Sequence, residues 1–187
     1  DALPIWVTSG WTWDSADKTA GWTLSNADRR ASSSSGNEEC RGTLQMTTGT
    51  KWYFEMQPVA FGTLTFEGFG FTRTSEALLD GTDAVYWQPD GDIAVNNGTQ
   101  NETGLSYTTS DRLCFAYDPA TGDGWLGVNG VYPNSGDPVA GTNPTITNNS
   151  TGVSFEPMIY RGAFTGTWTM DVPTEYLYFV GSPFVAG

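Results

Sequence analysis

The chain has 187 residues, a length typical of one domain, and 38% of them are hydrophobic. With 10 Phe, 8 Trp and 8 Tyr, it can bury enough apolar surface to offset the entropy lost on ordering, which excludes a disordered chain. The formal net charge of −13 predicts a surface that repels nucleic acid and anionic membranes. The absence of histidine excludes Ser-His-Asp catalysis, Cys-His catalysis and His-ligated zinc.

Short strands separated by turn residues account for most of the chain. Gly or Pro interrupts nearly every window, and the alternation in 51–57 places Trp52, Phe54 and Met56 on one face of a strand. Seven further strands are predicted at 62–72, 84–88, 92–96, 112–117, 124–128, 153–160 and 165–172. Strands at this spacing, joined by Asn-Gly and Asp-Gly turns, predict an all-β antiparallel sandwich or barrel.

Two polar segments lie outside these strands. We expect 32–35, a run of serines, to form a loop, and 75–80 to form a single helical turn. No internal repeat or linker divides the chain, so we predict an N-terminal extension or edge strand at 1–10 and one domain at 11–187. No stretch of about 18 apolar residues is present, which predicts no membrane insertion.

The two cysteines, Cys40 and Cys114, allow one disulfide at most. Free buried thiols that pack as small hydrophobic side chains are the favoured interpretation.

Carboxylates suited to catalysis or to metal binding are few. A glycosidase needs two carboxylates across a groove, but the residues two and four positions after Glu55 and after Glu67 are not acidic. A pair drawn from different strands stays open as an alternative. The Asp-rich turns at 90–92 and 118–124 could offer oxygens to calcium, yet Asp in such turns usually caps its own backbone. We therefore predict no catalytic residue, no metal and no cofactor.

Aromatic residues beside turns are the more informative set. Aromatic rings next to Asn, Asp and Thr are typical of a sugar-binding surface. They are also typical of buried plugs, side chains that fill the ends of a sandwich. Both interpretations apply to Trp11, Trp13, Trp87, Tyr107, Trp125 and Tyr132.

Several segments, in this order, resemble the SPRY family and in particular the SPRY-like modules of bacteriophage structural proteins. The matching segments are Thr12-Trp13-Asp14 to Lys18, Trp22 to Asn26, Gly49 to Glu55, Gly68-Phe69-Gly70-Phe71-Thr72, Asp111 to Asp118, Gly122, Trp125-Leu126, Asn129-Gly130 and Pro157 to Tyr160. The resemblance covers roughly residues 11 to 172. Two departures are the closing segment at 168–172 and the long polar segment at 132–149.

This resemblance implies a two-sheet antiparallel β-sandwich of the concanavalin-like type, without catalytic apparatus, that binds proteins or sugars. It places the binding end at 87–101, and the expected ligand-binding residues are Trp87, Asp90, Asp92, Asn96 and Asn97. The phage members imply a tail fibre or capsid decoration at the virion surface, displayed in many copies.

The expected function is therefore non-enzymatic recognition of a bacterial surface glycan or protein. One alternative is a purely structural role, in which the domain binds another virion protein and touches no host. A second alternative is a glycoside hydrolase on the same kind of sandwich.

Overall fold

Fourteen strands and one short 3-10 helix make up the regular structure of the described residues. The structure, a computed structural model, describes residues 6–7, 10–34, 36–62, 68–96, 98–100, 104–147, 150–162 and 166–173. In chain order the elements are β1 (Trp6–Val7), β2 (Trp13–Lys18), β3 (Thr23–Ser25), β4 (Arg30–Ser33), β5 (Glu38–Gly42), β6 (Lys51–Ala60), β7 (Gly68–Arg73), β8 (Ala84–Trp87), β9 (Ile93–Val95), β10 (Gly98–Gln100), β11 (Leu113–Asp118), β12 (Asp123–Val128), the 3-10 helix (Pro133–Ser135), β13 (Phe155–Arg161) and β14 (Trp168–Asp171).

The strands form two sheets. The first sheet has the order β12-β11-β6-β14-β4-β3, with β1 also paired to β6, and the second has the order β10-β9-β8-β7-β13-β5-β2. Among the described strands, every pairing is antiparallel except that of β1 with β6. The predicted two-sheet antiparallel sandwich is therefore confirmed.

The core lies between the sheets and is dominated by aromatic rings. Phe54 and Phe115 of the first sheet stack with ring centroids 4.7 Å apart. Phe71 of the second sheet lies 4.8 Å from Tyr117 of the first. These contacts join β6, β7 and β11 across the interface. Because each such ring buries a large apolar area, they supply much of the hydrophobic stabilisation.

The outer face of the first sheet is also covered. Tyr53, Cys114 and Trp125 form a second buried cluster there, against which Tyr132 packs. The Trp125 indole donates to the Thr142 carbonyl at 2.9 Å, which fastens the covering segment to the sheet. Residues 132–147, the described part of the segment in which the sequence departs from the SPRY pattern, thus lie over this sheet.

The strand predictions are confirmed in outline. The alternation that placed Trp52, Phe54 and Met56 on one face is correct, since all three lie in the core between the sheets. The other predicted strands coincide with β7 to β9 and β11 to β14, with described ends that differ by a few residues. Residues 63–67 of the strand predicted at 62–72, and residue 165 of that predicted at 165–172, lie outside the described residues. The strands that the sequence did not predict are β2 to β5, which precede the strand predicted at 51–57, and β10. Strand β1 falls in the segment 1–10, for which an extension or edge strand is predicted.

Two local predictions are wrong. Ser32 and Ser33 belong to β4, where the Ser32 hydroxyl lies 2.9 Å from that of Thr169 across the strand pair. Residues 75–80 form turns rather than a helical turn, because the backbone of this segment bonds to buried side chains of the second sheet.

Cys40 and Cys114 are both free and both 0% exposed, as favoured from the sequence. They lie on β5 and β11, which belong to different sheets. No helix among the described residues is long and apolar enough to span a membrane. The division into an extension at 1–10 and a domain at 11–187 stays a prediction, although Trp6–Val7 pairs with Lys51 and Trp52.

Candidate recognition surface

Trp87, the aromatic residue of the expected ligand-binding set, lies in the core. It is 0% exposed, and its ring packs against Tyr107 and Phe115 at centroid distances of 5.0 and 6.2 Å. Strand β8 alternates, so Val85 and Trp87 point inward while Tyr86 points outward. A ring packed in this way has no face open to a ligand.

The polar residues of the expected set do not come together. Asp90 lies at the tip of the β8–β9 hairpin, where its Oδ1 accepts a hydrogen bond from the Asp92 N–H at 3.2 Å. Asn96 follows the opposite end of β9, and its N–H donates to the Ala84 carbonyl at 2.9 Å. A three-residue strand spans about 10 Å, which separates Asn96 from the tip. Asn97 lies outside the described residues, and ligand binding by Asp90 and Asp92 stays a prediction.

The remaining strand-end aromatics are mostly core residues. Trp11, Trp13, Tyr107 and Trp125 are at most 3% exposed, which matches the plug interpretation for these rings. Tyr132 is half-buried over the first sheet, in the cluster around Tyr53.

The acidic turns cap their own backbone. Asp118 Oδ1 accepts from the Ala120 N–H at 3.0 Å, and Asp118 Oδ2 lies 3.6 Å from Lys51 Nζ. Asp90 makes the equivalent turn contact with Asp92. Within the described ranges, no group of three or more His, Cys, Asp and Glu side chains is arranged to hold a metal ion.

Glu55, one of the carboxylates considered for glycoside hydrolysis, is engaged and inaccessible. It is 0% exposed, accepts from the Tyr53 hydroxyl at 2.7 Å, and lies 3.4 Å from Arg112 Nη1. Glu67, the other, lies outside the described residues.

Carboxylates do gather at a place that the sequence did not indicate, the outer face of the second sheet. Arg41 Nε lies 2.6 Å from Glu39 Oε1, and its Nη1 lies 3.3 Å from Glu156 Oε1 and 3.8 Å from Asp17 Oδ2. These four residues, here called the Arg41 cluster, come from β2, β5 and β13. Arg41, Glu39 and Glu156 are 1%, 2% and 6% exposed, so this group has no open cleft for a substrate.

Burial sets the protonation of the Arg41 cluster. Loss of water raises the pKa of the Glu39 carboxyl, against the opposing effect of Arg41. Burial, reinforced by the neighbouring Asp17 carboxylate, raises the pKa of Glu156 to about 7, and Arg41 again opposes the shift. Near neutral pH the cluster therefore exchanges a proton with solvent, although three of its members are buried.

The Arg41 cluster fixes the segment between β7 and β8, residues 74–83, which we call the β7–β8 loop. Arg41 Nη1 donates to the Glu76 carbonyl at 2.9 Å and Nη2 donates to the Ala77 carbonyl at 3.0 Å. The Leu79 N–H donates to Glu39 Oε2 at 2.5 Å. Buried charges that bond to backbone in this way hold a loop in one conformation.

A pair of tyrosines lies beside this loop on the same face. Tyr86 of β8 and Tyr160 of β13 are half-buried, and their ring centroids lie 5.3 Å apart. These strands flank β7 and are about 10 Å apart. The rings can meet because the β7 partners of Tyr86 and Tyr160 are Gly70 and Gly68, which carry no side chain. We call this pair the tyrosine platform.

Both hydroxyls of the tyrosine platform are fixed. The Tyr160 hydroxyl lies 2.8 Å from Asn37 Oδ1, and the Tyr86 hydroxyl donates to the Gly81 carbonyl at 3.4 Å. The second contact ties the platform to the β7–β8 loop. The outer face of the second sheet thus offers two half-buried aromatic rings on rigid strands, with the Asn37 amide beside them. A similar combination of aromatic and amide groups is what the sequence predicts at the β8–β9 hairpin.

Comparison with solved structures identifies the architecture. The SPRY domain of human HERC1 superposes with a TM-score of 0.69 at 14% identity, over 88% of this chain and 99% of that one. The chain has a SPRY-like fold. The stonustoxin structure gives a TM-score of 0.60 at 14% identity, over 88% of this chain and 27% of the toxin chain. No known protein family model matches the chain, and no curated protein matches it.

These neighbours confirm the SPRY resemblance at the level of the fold. The Gly-x-Gly segment that carried part of the resemblance is β7, near the centre of the second sheet. The relationship to bacteriophage proteins, the virion location and the ligand stay predictions.

Proposed function

We propose that this SPRY-like sandwich is a non-enzymatic recognition module, displayed on a phage particle, that binds a bacterial surface glycan or protein. The observation that carries the proposal is the tyrosine platform on the outer face of the second sheet. Half-exposed aromatic rings stack on the apolar face of a sugar ring or on an apolar side chain. A platform on rigid strands also loses little conformational entropy when a ligand binds.

The second sheet suits this role better than the first. The outer face of the first sheet is covered by residues 132–147, which fill it with Tyr132 and Val139. On the second sheet, Tyr86 and Tyr160 keep part of their rings at the surface. Asp90 and Asp92, at the tip of the hairpin that follows Tyr86, provide polar groups that could extend the same surface.

The virion assignment rests on the opening segment, residues 12–26, which resembles that of phage SPRY-like modules. Weak binding at each copy would gain strength when many copies engage one bacterial surface. Because the surface charge is strongly acidic, the module suits neutral or basic ligands rather than anionic ones.

The test is a glycan array and a panel of purified bacterial surface proteins, probed with a tetramerised form of the domain. Hits are then measured by titration calorimetry, because the tryptophans whose side chains are described are at most 9% exposed and need not report binding by fluorescence. We expect Tyr86→Ala and Tyr160→Ala to weaken binding at least tenfold. Val131→Ala is the control, since Val131 is 63% exposed and lies outside this surface.

Two outcomes would redirect the proposal. Loss of affinity in Asp90→Asn or Asp92→Asn, with the tyrosine variants unchanged, would move the site to the hairpin tip. No binding by the tetramer to any glycan or surface protein would contradict host recognition, and the structural virion role would become the leading interpretation.

A further inference from the structure

The β7–β8 loop presents a short apolar tip within an acidic segment. Ala77 is exposed and Leu79 is 37% exposed. The loop contains Glu76, Asp80 and Asp83 and no lysine or arginine. Exposed apolar side chains are common singly, so the exposure of Leu79 alone has no functional meaning.

The backbone of Leu79 makes this exposure informative. Its φ angle is +68°, in the left-handed region, where the Cβ of an L-residue crowds the backbone. Glycine or asparagine would occupy this position with less strain. The sequence instead places a leucine, an apolar side chain, at an exposed position where the backbone disfavours it. Strained residues of this kind persist where the surrounding structure holds them, and they cluster at binding sites.

The surrounding structure does hold Leu79. Its N–H donates to Glu39, and the two preceding loop carbonyls of Glu76 and Ala77 accept from the buried Arg41 guanidinium. Further along, Glu76 accepts from the Thr72 hydroxyl at 2.9 Å and from the Asp83 N–H. The loop is therefore ordered by folding and need not be ordered again by a partner, which favours binding.

We propose that the β7–β8 loop docks a protein partner through an apolar pocket that receives the Leu79 side chain, rimmed by Lys and Arg that face the exposed Asp80 and complement the acidic net charge. The carboxylates of Glu76 and Asp83 contribute less, because they already bond within the domain, Glu76 to Thr72 and Asp83 to Arg73. Charge complementarity selects this occupant over a second copy of the chain, whose own net charge of −13 would repel it. A glycan offers no apolar pocket for a leucine. The proposal goes beyond the recognition function above, because it assigns a second contact site, at Leu79 rather than at the tyrosine platform, and states the chemistry of the partner that fits it.

The test uses a yeast-displayed library of randomised disulfide-constrained peptides, selected on the folded wild-type domain. We expect enriched binders to carry Lys or Arg together with apolar residues, and to bind more weakly at high salt. Leu79→Asn should weaken these binders at least tenfold. Because Asn tolerates a positive φ, the same variant should unfold about 2–4 °C higher than wild type.

Two further variants separate docking from folding. Leu79→Gly removes both the side chain and the strain, and should match Leu79→Asn in weaker binding and higher thermal stability. Val131→Asn changes an exposed apolar residue elsewhere and should leave binding intact. The proposal is overturned if the selected binders tolerate both Leu79 variants, or if the selection yields no binder that depends on Leu79. Neither outcome bears on the tyrosine platform, whose own variants leave Leu79 in place.

Discussion

Glu156 links the protonation of the Arg41 cluster to stability. Burial and the Asp17 carboxylate raise its pKa to about 7, so ionising Glu156 costs more in the folded state than in the unfolded chain. Its contribution to stability is therefore full below the ordinary glutamate pKa of about 4.5 and is lost as the pH rises through about 7.

We expect Glu156→Gln to remove this pH dependence. In urea unfolding from pH 5 to pH 8, the free energy difference between variant and wild type should shift in favour of the variant as the pH rises. Asp111→Asn is the control. Burial acts to raise the pKa of Asp111, but hydrogen bonds from Thr108 and Asn129 outweigh burial and lower this pKa. Asp111 therefore stays ionised from pH 5 to pH 8, and Asp111→Asn should differ from wild type by a constant free energy over this range. A constant difference for Glu156→Gln as well would contradict the expectation.

Trp87 is expected to act as a core residue. Trp87→Ala should lower the free energy of unfolding by about 3–5 kcal/mol, the usual cost of deleting a buried indole. Denaturant unfolding measures this directly. A variant of unchanged stability would show instead that the indole is not packed in the core.

At the residue scale, the sequence indicated which types of side chain lie near the turns better than it indicated the direction in which each side chain points. The resemblance places Trp87 at the binding end and the residue lies beside a turn, but neither fact says toward which face its side chain points. The signal that could have placed it is alternation, since Trp87 shares the inward face with Val85 and Tyr86 points outward. The Arg41 cluster could not be foreseen, because its residues come from strands whose pairing the sequence did not reveal.

Strand β7 depends on Gly70. A Cβ at this position would lie 1.9 Å from the Val85 carbonyl oxygen, so β7 and β8 would have to separate. We expect Gly70→Ala to destabilise the fold by about 3 kcal/mol, at the upper end of typical overpacking costs. The control is Gly10→Ala, whose Cβ would meet, among the described residues, only Arg29 Nη2 at 3.9 Å. Thermal unfolding of the two variants measures the difference, and equal midpoints would exclude the close approach.

The conformation of the β7–β8 loop depends on the fork of the Arg41 guanidinium, which reaches two carbonyls at once. A lysine keeps the charge but not this fork. We therefore expect Arg41→Lys to speed hydrogen exchange of the Leu79 amide about tenfold, through more frequent local opening.

Arg30→Lys is the matched control for this exchange measurement. Arg30 also uses two guanidinium nitrogens, which lie 2.7 and 2.6 Å from the Asp171 carboxylate, but this pair belongs to the first sheet. If both variants speed exchange at Leu79 equally, the effect of Arg41→Lys is not specific to the loop.

At the element scale, alternation and aromatic content were enough to find β6 to β9 and β11 to β14. They failed for β2 to β5 because these strands are short and carry mostly polar and charged residues, with Trp13 and Leu24 as their only large apolar side chains. Their polar side chains are satisfied by long-range partners, as where Arg30 pairs with Asp171 at 2.6 Å. Such partners are 141 positions apart and leave no local pattern.

At the scale of the whole molecule, the two thiols report on global unfolding. Cys40 and Cys114 are 0% exposed on different sheets, and burial raises the pKa of both, that of Cys114 to about 12. A reagent that needs the thiolate should therefore label them only when the sandwich opens. We expect the labelling rates at pH 8 to rise together with urea. Rapid labelling of one thiol without denaturant would reveal an independent local opening.

The position of β14 determines when the chain can fold during its synthesis. This strand, among the last of the described residues, lies inside the first sheet between β6 and β4. Until residues 168–171 leave the ribosome, the unpaired edges of β6 and β4 are open to other nascent chains. The hydrogen bond from the Trp13 indole to the Met170 carbonyl likewise cannot form before β14 is available, because the two residues are 157 positions apart. The first sheet therefore cannot be completed before residues 168–171 have emerged and, with contacts this distant in sequence, its folding is slow.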